Sequence, residues 1–388
     1  MYNFDEVINR ENTGSGKWNE VSDGNAKEKR YPPLTTADME FKTCPAILRA
    51  LQNRIEHGIF GYTKPDERLY HAVSSYILER HGFRVEEQSL IYSTSVVPAI
   101  MAGIKSCTKE GEGVILLSPV YTAFYSSIEK TKRKLVDCPL ERNKDRYEIN
   151  FDLLEELAKE EQNRLLILCS PHNPVGRVWT YQELKQIIEI CKKYDIYLLS
   201  DEIHWDLILE GEHVSIGAFK EVYPERIILC SAPTKTFNLA GSLIAYTIIF
   251  DDKLRKIFKE KLKEAGHIEA ISVFGYEATI AAYENGGAWL LELLSYLREN
   301  FDYFRKWLLE NEPDISMIKT EGTYLAWLDC RNIKPNFDLW YQKKLEHGIF
   351  LTDGSYFGEQ GKGFVRVNLA LPREELKKVL EHWKCDEK

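Results

Sequence analysis

"LLILCSPHNPVGRVWTYQELKQIIEICKKYDIYLLSDEIH", residues Leu165–His204, reads as strand, loop, helix, strand. Leu165-Leu166-Ile167-Leu168 and Ile196-Tyr197-Leu198-Leu199 are apolar runs without alternation, which suits strands covered on both faces. Between them, Thr180 and Glu183 have the spacing of a capping box. Leu184, Ile187, Ile188 and Cys191 mark one face of a helix. Two strands joined by a helix of this length pair in parallel through a crossover.

The same texture recurs on both sides. Val114–Leu117, Ile227–Leu229 and Leu243–Phe250 are further apolar runs, and 66–81, 253–264 and 289–309 read as helices. From about residue 313 the pattern changes. "TYLAWLDC" and "GFVRVNLAL" alternate like half-buried strands, with helices at 336–347 and 373–384. Residues 1–45 read as irregular. The expectation is an α/β protein of two domains. A large domain over 51–288 carries a mostly parallel central sheet flanked by helices. A smaller α+β domain over 289–388 is completed by the N-terminal segment 1–50.

The chain has 388 residues, 44% hydrophobic and 29% charged, ordinary values for a globular protein of two cores. Its net charge of −9 argues against a nucleic-acid or anionic-membrane partner. The 8 cysteines are scattered singly with no CxxC pair, so no metal site is expected and reduced, buried thiols are. "MYNFDEVINRENTG" is polar and does not read as a signal peptide, and no apolar stretch reaches spanning length. A cytoplasmic location follows as an expectation.

In open α/β sheets, ligands sit beyond the carboxyl ends of the strands. After four of the runs come Ser118-Pro119-Val120-Tyr121, Ser170–Gly176, Ser200–His204 and Ser231–Lys235. Parallel strands with right-handed crossovers bring these ends to one edge. Singly, each residue has an ordinary use. Tyr121 serves a core, Asn173 opens a turn, Asp201 caps a helix, and His204 is a satisfied core histidine. Lys235 stands alone among small and apolar residues in "SAPTKTFNLAGS", and burial there would lower its pKa.

Together they match the needs of pyridoxal phosphate. That cofactor requires a lysine to bond its aldehyde and a carboxylate to keep its ring nitrogen protonated. It also requires a donor to its phenolic oxygen, an aromatic on its ring face, and donors around its phosphate. Lys235, Asp201, Asn173 and Tyr121 fill the first four roles. "STSVVPAI" supplies hydroxyls and amides at a helix start, through Ser95, Val96 and Val97, and Thr234 adds a hydroxyl.

With these residues in place, the chain resembles the fold-type I pyridoxal-phosphate enzymes of the class I/II aminotransferase superfamily. Within it, the chain is similar to the MalY/PatB type of cystathionine β-lyase. The resemblance covers nearly the whole chain. It rests on "NFDEVINRENTGSGKW", "ADMEF", "HGIFGYT", "SVVPAI", "SPVYTAF", "SPHNPVGRVWT", "SDEIHWDLIL", "APTKTFNLAG", "EGTYLAWLDC" and "GSYFGEQGKGFVRVNLALP".

The resemblance implies further roles. Lys235 would also remove the substrate's Cα proton. Arg366 would clamp the substrate carboxylate, with Asp38 and Tyr324 also on the substrate side. Tyr62, in "GYT", would reach across a homodimer interface to the partner's phosphate, and His204 would sit against the cofactor. The chain departs from the pattern at Ser95, where many relatives have Gly, at Thr234, where they have Ser, and at Thr35-Thr36, where they often have Trp-Val. The implied reaction is carbon–sulfur β-elimination of cystathionine- or cysteine-type amino acids to a thiol or sulfide, pyruvate and ammonia. An aminotransferase forms the same carbanion and is the rival reading. A regulatory, partner-binding protein that keeps the fold is the third. His204, where aminotransferases carry Tyr, leans toward the lyase.

Overall fold

A computed structural model of the protein describes residues 2–19, 31–266 and 270–384. Cys385 lies outside these residues.

The central sheet has seven strands: β1 (Leu90–Ser93), β2 (Gly113–Leu116), β3 (Lys134–Asp137), β4 (Asn163–Cys169), β5 (Tyr197–Asp201), β6 (Ile227–Ser231) and β7 (Ala245–Ile248). Their spatial order is β1-β7-β6-β5-β4-β2-β3. β3, β2, β4, β5 and β6 pair in parallel, as the crossover lengths require. The run Leu243–Phe250 behaves differently. Only Ala245–Ile248 is strand, and it lies antiparallel to both β6 and β1. The chain returns through the one-turn helix Pro233–Thr236 and a short turn, too little for a crossover.

Alternate residues of the buried strands feed two cores. Leu166, Leu168, Leu198 and Leu229 face one side, while Leu165, Ile167, Leu199 and Ile228 face the other. This explains why the runs show no polar alternation. The helix between β4 and β5 spans Tyr181–Lys193, and its capping box of Thr180 and Glu183 is formed in both directions. Pro45–His57, Thr122–Lys130 and Phe151–Lys159 are helices that the sequence reading left out, and so is a fourth, for a physical reason. Val273–Asn285 is buried on Val273, Tyr276, Ala278, Ile280, Ala281 and Tyr283, leaving no polar face to give a pattern.

A second sheet of four strands joins β8 (Ser316–Met317), β9 (Leu325–Asp329), β11 (Phe364–Asn368) and β10 (Thr352–Asp353) in that order, all antiparallel. Its core gathers Ala326, Leu328, Val365 and Val367 with Trp307 and Trp383 of the covering helices Gly287–Asn311 and Arg373–Trp383. Within the N-terminal stretch, read as irregular, Gly16–Asn19 forms one helical turn. That stretch is fixed by charge: Arg10 meets Asp38 at 2.8 Å and Glu40 at 2.9 Å, and Lys17 meets Glu40 at 2.8 Å. No helix of the described residues is long and apolar enough to cross a membrane.

Candidate active site

The chain steps outward from β2 to β3 and then back across to β4, so the strand order reverses between β2 and β4. Loops leaving those two strands diverge and open a crevice at the carboxyl edge. A cavity of about 360 Å³ lies there. Its lining includes Tyr121 after β2, Asn173 after β4, Asp201 and His204 from the end of β5, and Thr234 and Lys235 after β6. β1 runs in the same sense as the parallel set, which delivers Ser95, Val96 and Val97 to the same cavity at the start of helix Val96–Cys107. Arg366 enters from β11.

Asp201 is buried, and loss of solvent pushes its carboxyl up to about 7. It accepts a hydrogen bond from the Ile203 amide at 3.2 Å. Lys235 is brought down to about 8, first by burial and then by Arg366, with Asp38 and Asp201 pulling the other way. Its Nζ donates to the Ala37 carbonyl at 2.5 Å, which also accepts the Tyr324 hydroxyl at 2.9 Å. His204 is buried edge-on to Tyr324, with ring centroids 6.0 Å apart, and burial holds it neutral well below the usual imidazole range.

Arg366 donates to Asn173 Oδ1 at 3.1 Å and to the Thr35 carbonyl at 3.1 Å. Two asparagines grip the segment that Lys235 and Arg366 share. Asn238, three residues after Lys235, donates to the carbonyls of Met39 and Phe41. Asn368, two residues after Arg366, donates to those of Thr36 and Asp38. Asn238 does so with φ of 55°, a left-handed conformation that asparagine tolerates well.

Three of the residues singled out from the sequence do not line the cavity. The Asp38 carboxylate is engaged by Arg10 and Lys17, which hold it below the usual range against the opposing effect of burial. Tyr324 braces Ala37 and His204 from behind. Tyr62 is 94% exposed, away from this chain's own cavity. Thr36, noted as a departure from the family pattern, lines it, and so do Ala37, Thr122, Cys169, Ile203, Ala240 and Ile244, which were not singled out. Cys169 and Ile203 were within reach of the strand-end reading, since each adjoins a residue it chose. The Ala37 carbonyl was not, because a backbone group has no signature of its own in sequence.

A parallel sheet with a lysine, a carboxylate and an amide at its carboxyl edge, facing an arginine from a second sheet, defines a class of enzymes. The sequence matches the aminotransferase class I and II family over residues 32–382, and the chain belongs to that family. Within it, the chain belongs with the cystathionine β-lyases of the MalY/PatB type. It is 36% identical to cystathionine β-lyase PatB of Bacillus subtilis over 94% of this chain and 95% of that one. It is 34% identical to the protein MalY of Escherichia coli over 97% of each. Among solved structures, that of cystalysin from Treponema denticola, which contains a pyridoxal 5'-phosphate cofactor, matches with a TM-score of 0.96. The two are 35% identical, and the match covers 99% of this chain and 98% of that one.

Proposed function

We propose that this protein is a pyridoxal-phosphate-dependent carbon–sulfur β-lyase, converting cystathionine- or cysteine-type amino acids to a thiol or sulfide, pyruvate and ammonia. The observation that carries it is the convergence of Lys235, Asp201, Asn173, Tyr121 and Arg366 on one cavity. The residues fit the cofactor. Asp201 is a buried carboxylate with no cationic side chain hydrogen-bonded to it among the described residues, and a protonated ring nitrogen would satisfy it. The first-turn amides of Val96–Cys107, with the hydroxyls of Ser95 and Thr234, suit a phosphate dianion. Asn173 would donate to the phenolic oxygen, while Tyr121 would cover the ring face and His204 would close the wall beside it.

When bound, the cofactor supplies a sink for the electron pair released at the substrate's Cα. The chain does the rest. Arg366 would hold the substrate carboxylate with a planar fork of N–H donors. Lys235, brought near neutral pH by burial, would take the Cα proton and return one where needed. The Ala37 carbonyl, anchored by Asn238 and Asn368 on either side, would keep that amine within reach.

We further divide the chain into an N-terminal segment 1–50, a large domain 51–288 and a small domain 289–388. The four-stranded sheet and its own core support the last of these. A homodimer is supported by exposed apolar side chains at Ile59, Phe60 and Tyr62, with Phe60 against Phe274 at 5.4 Å. In it, Tyr62 would reach the partner's phosphate site. Among the described residues, seven buried cysteines without disulfides suit a reducing compartment such as the cytoplasm.

The test is incubation of the holoenzyme with cystathionine and no 2-oxo acid. Equal release of pyruvate and thiol is expected. Turnover only after an acceptor acid is added would make the protein an aminotransferase instead.

A further inference from the structure

We infer that Phe357 is a positioning residue for the substrate carboxylate, acting through Arg366. The inference rests on the reading of Arg366 as the carboxylate clamp.

Arg366 sits on β11 opposite Trp327 on β9, and both side chains are buried. The Arg366 guanidinium lies 4.8 Å from the centroid of the Phe357 ring. That ring is buried and stands edge-on to Trp327, with centroids 5.5 Å apart at 81°. The fork thus lies over an aromatic surface. A carboxylate in that place would compete with the substrate for the same N–H donors. A ring face attracts the cation without consuming its in-plane donors. The in-plane partners Asn173 Oδ1 and the Thr35 carbonyl, each at 3.1 Å, then fix the rotation of the fork.

Phe357 is itself held from the other sheet. Its carbonyl accepts the Val120 amide at 3.0 Å and the Tyr125 hydroxyl at 2.8 Å. Val120 immediately precedes Tyr121, so the residue that supports Arg366 is tied to the turn that places the ring-covering tyrosine. The loop bearing Phe357 is also closed on itself. A Cβ at Gly354 would overlap the backbone of Gly361, and one at Gly361 would overlap that of Gly354. A short, crossed loop leaves the ring little freedom to follow a displaced guanidinium.

The experiment is a double-mutant cycle on the holoenzyme with F357L, R366A and the pair. Two quantities are read. One is the dissociation constant of 3-(methylthio)propionate, a carboxylate with no amine to react, by calorimetry. The other is KM against kcat for cystathionine. F357L is expected to weaken both the ligand affinity and KM about tenfold, the upper part of the range for a desolvated cation–π contact, with kcat within about twofold. In the R366A background F357L should cost nothing more, because coupled residues are not additive. Equal losses in both backgrounds, or wild-type affinity in F357L, overturn the inference. Wild-type affinity in R366A overturns the clamp reading on which it stands, a separate result. Should F357L not fold, as judged by melting and by the bound cofactor's visible band, Y125F takes its place in the same cycle. It frees the Phe357 carbonyl from one donor and is expected to weaken binding about two- to threefold through the same contact, with the same reversal criteria.

Discussion

Lys235 Nζ lies 2.5 Å from the carbonyl oxygen of Ala37, a residue 198 positions earlier in the chain. A buried amine keeps one strong acceptor that cannot take its proton. Such an acceptor orients the lone pair without neutralising the base, as a carboxylate would. The segment carrying Ala37 is anchored by Asn238 and Asn368, so the position of the amine depends on both sheets.

Replacing Lys235 by Ala removes the amine, and with it the proton transfer proposed for it. Turnover should fall by at least the 10²–10⁴-fold, roughly, that a positioned acid–base group contributes. The visible band of the covalently held cofactor should vanish with it. A variant that retains both would show that another group carries the chemistry.

Asp201 gives the cofactor-free protein a pH dependence of definite sign. Its proton is held to about 7 in the folded chain and to about 4 in an unfolded one. Between those values the unfolded state binds fewer protons, so this group's contribution to stability falls as pH rises. Asp201→Asn stays neutral throughout. Its melting temperature relative to wild type should therefore rise from pH 4 to pH 7 and level off above. A flat difference across that range would show that Asp201 is solvated in the cofactor-free protein. The same variant should lose most activity in the loaded enzyme, because an unprotonated ring is a poorer electron sink.

Arg10 bridges Asp38 and Glu40, and Glu40 also accepts the Trp18 indole N–H at 3.2 Å. Arg10→Met leaves Lys17 as the cation paired with both acids among the described residues, one acid being 5% exposed. A loss of about 1–3 kcal/mol in unfolding free energy is expected, as for a buried charged partner left under-satisfied. Denaturant midpoints of the two proteins measure it. Unchanged midpoints would mean the cluster contributes specificity of docking and no stability.

Tyr62 tests the assembly. If it serves the partner's site, Tyr62→Ala and Lys235→Ala chains, each defective alone, form a hybrid with one intact site. That site has Lys235 from one chain and Tyr62 from the other. Purified hybrids should bind cofactor at one site per dimer with wild-type affinity, read by titration of the visible band. If Tyr62 serves its own chain, no hybrid site is intact and no wild-type affinity returns.

Much of the site was legible because it hangs on strand ends. Tyr121, Asn173, Asp201 and Lys235 each follow an apolar run, and parallel pairing carries such positions to one edge regardless of side-chain detail. Arg366 was visible only through resemblance, since an arginine in an alternating strand reads as a solvated charge. In the fold it is buried against Phe357. The helix Val273–Asn285 was hidden for a related reason: a segment buried on most of its sides has no amphipathic period.

The sequence by itself determined many of the local units, the capping box at Thr180 and the parallel pairing of four central strands, because burial period, capping chemistry and crossover length are written in neighbouring residues. It also determined which chemical groups reach the carboxyl edge. Only the tertiary structure decided what those groups touch. Asp38 pairs with Arg10 and Lys17 rather than facing the cavity, and a carbonyl at residue 37 holds the amine at 235. Contacts between residues tens to about two hundred positions apart depend on how the segments and sheets dock, and docking is set by the summed packing of the cores, which no short window of sequence contains.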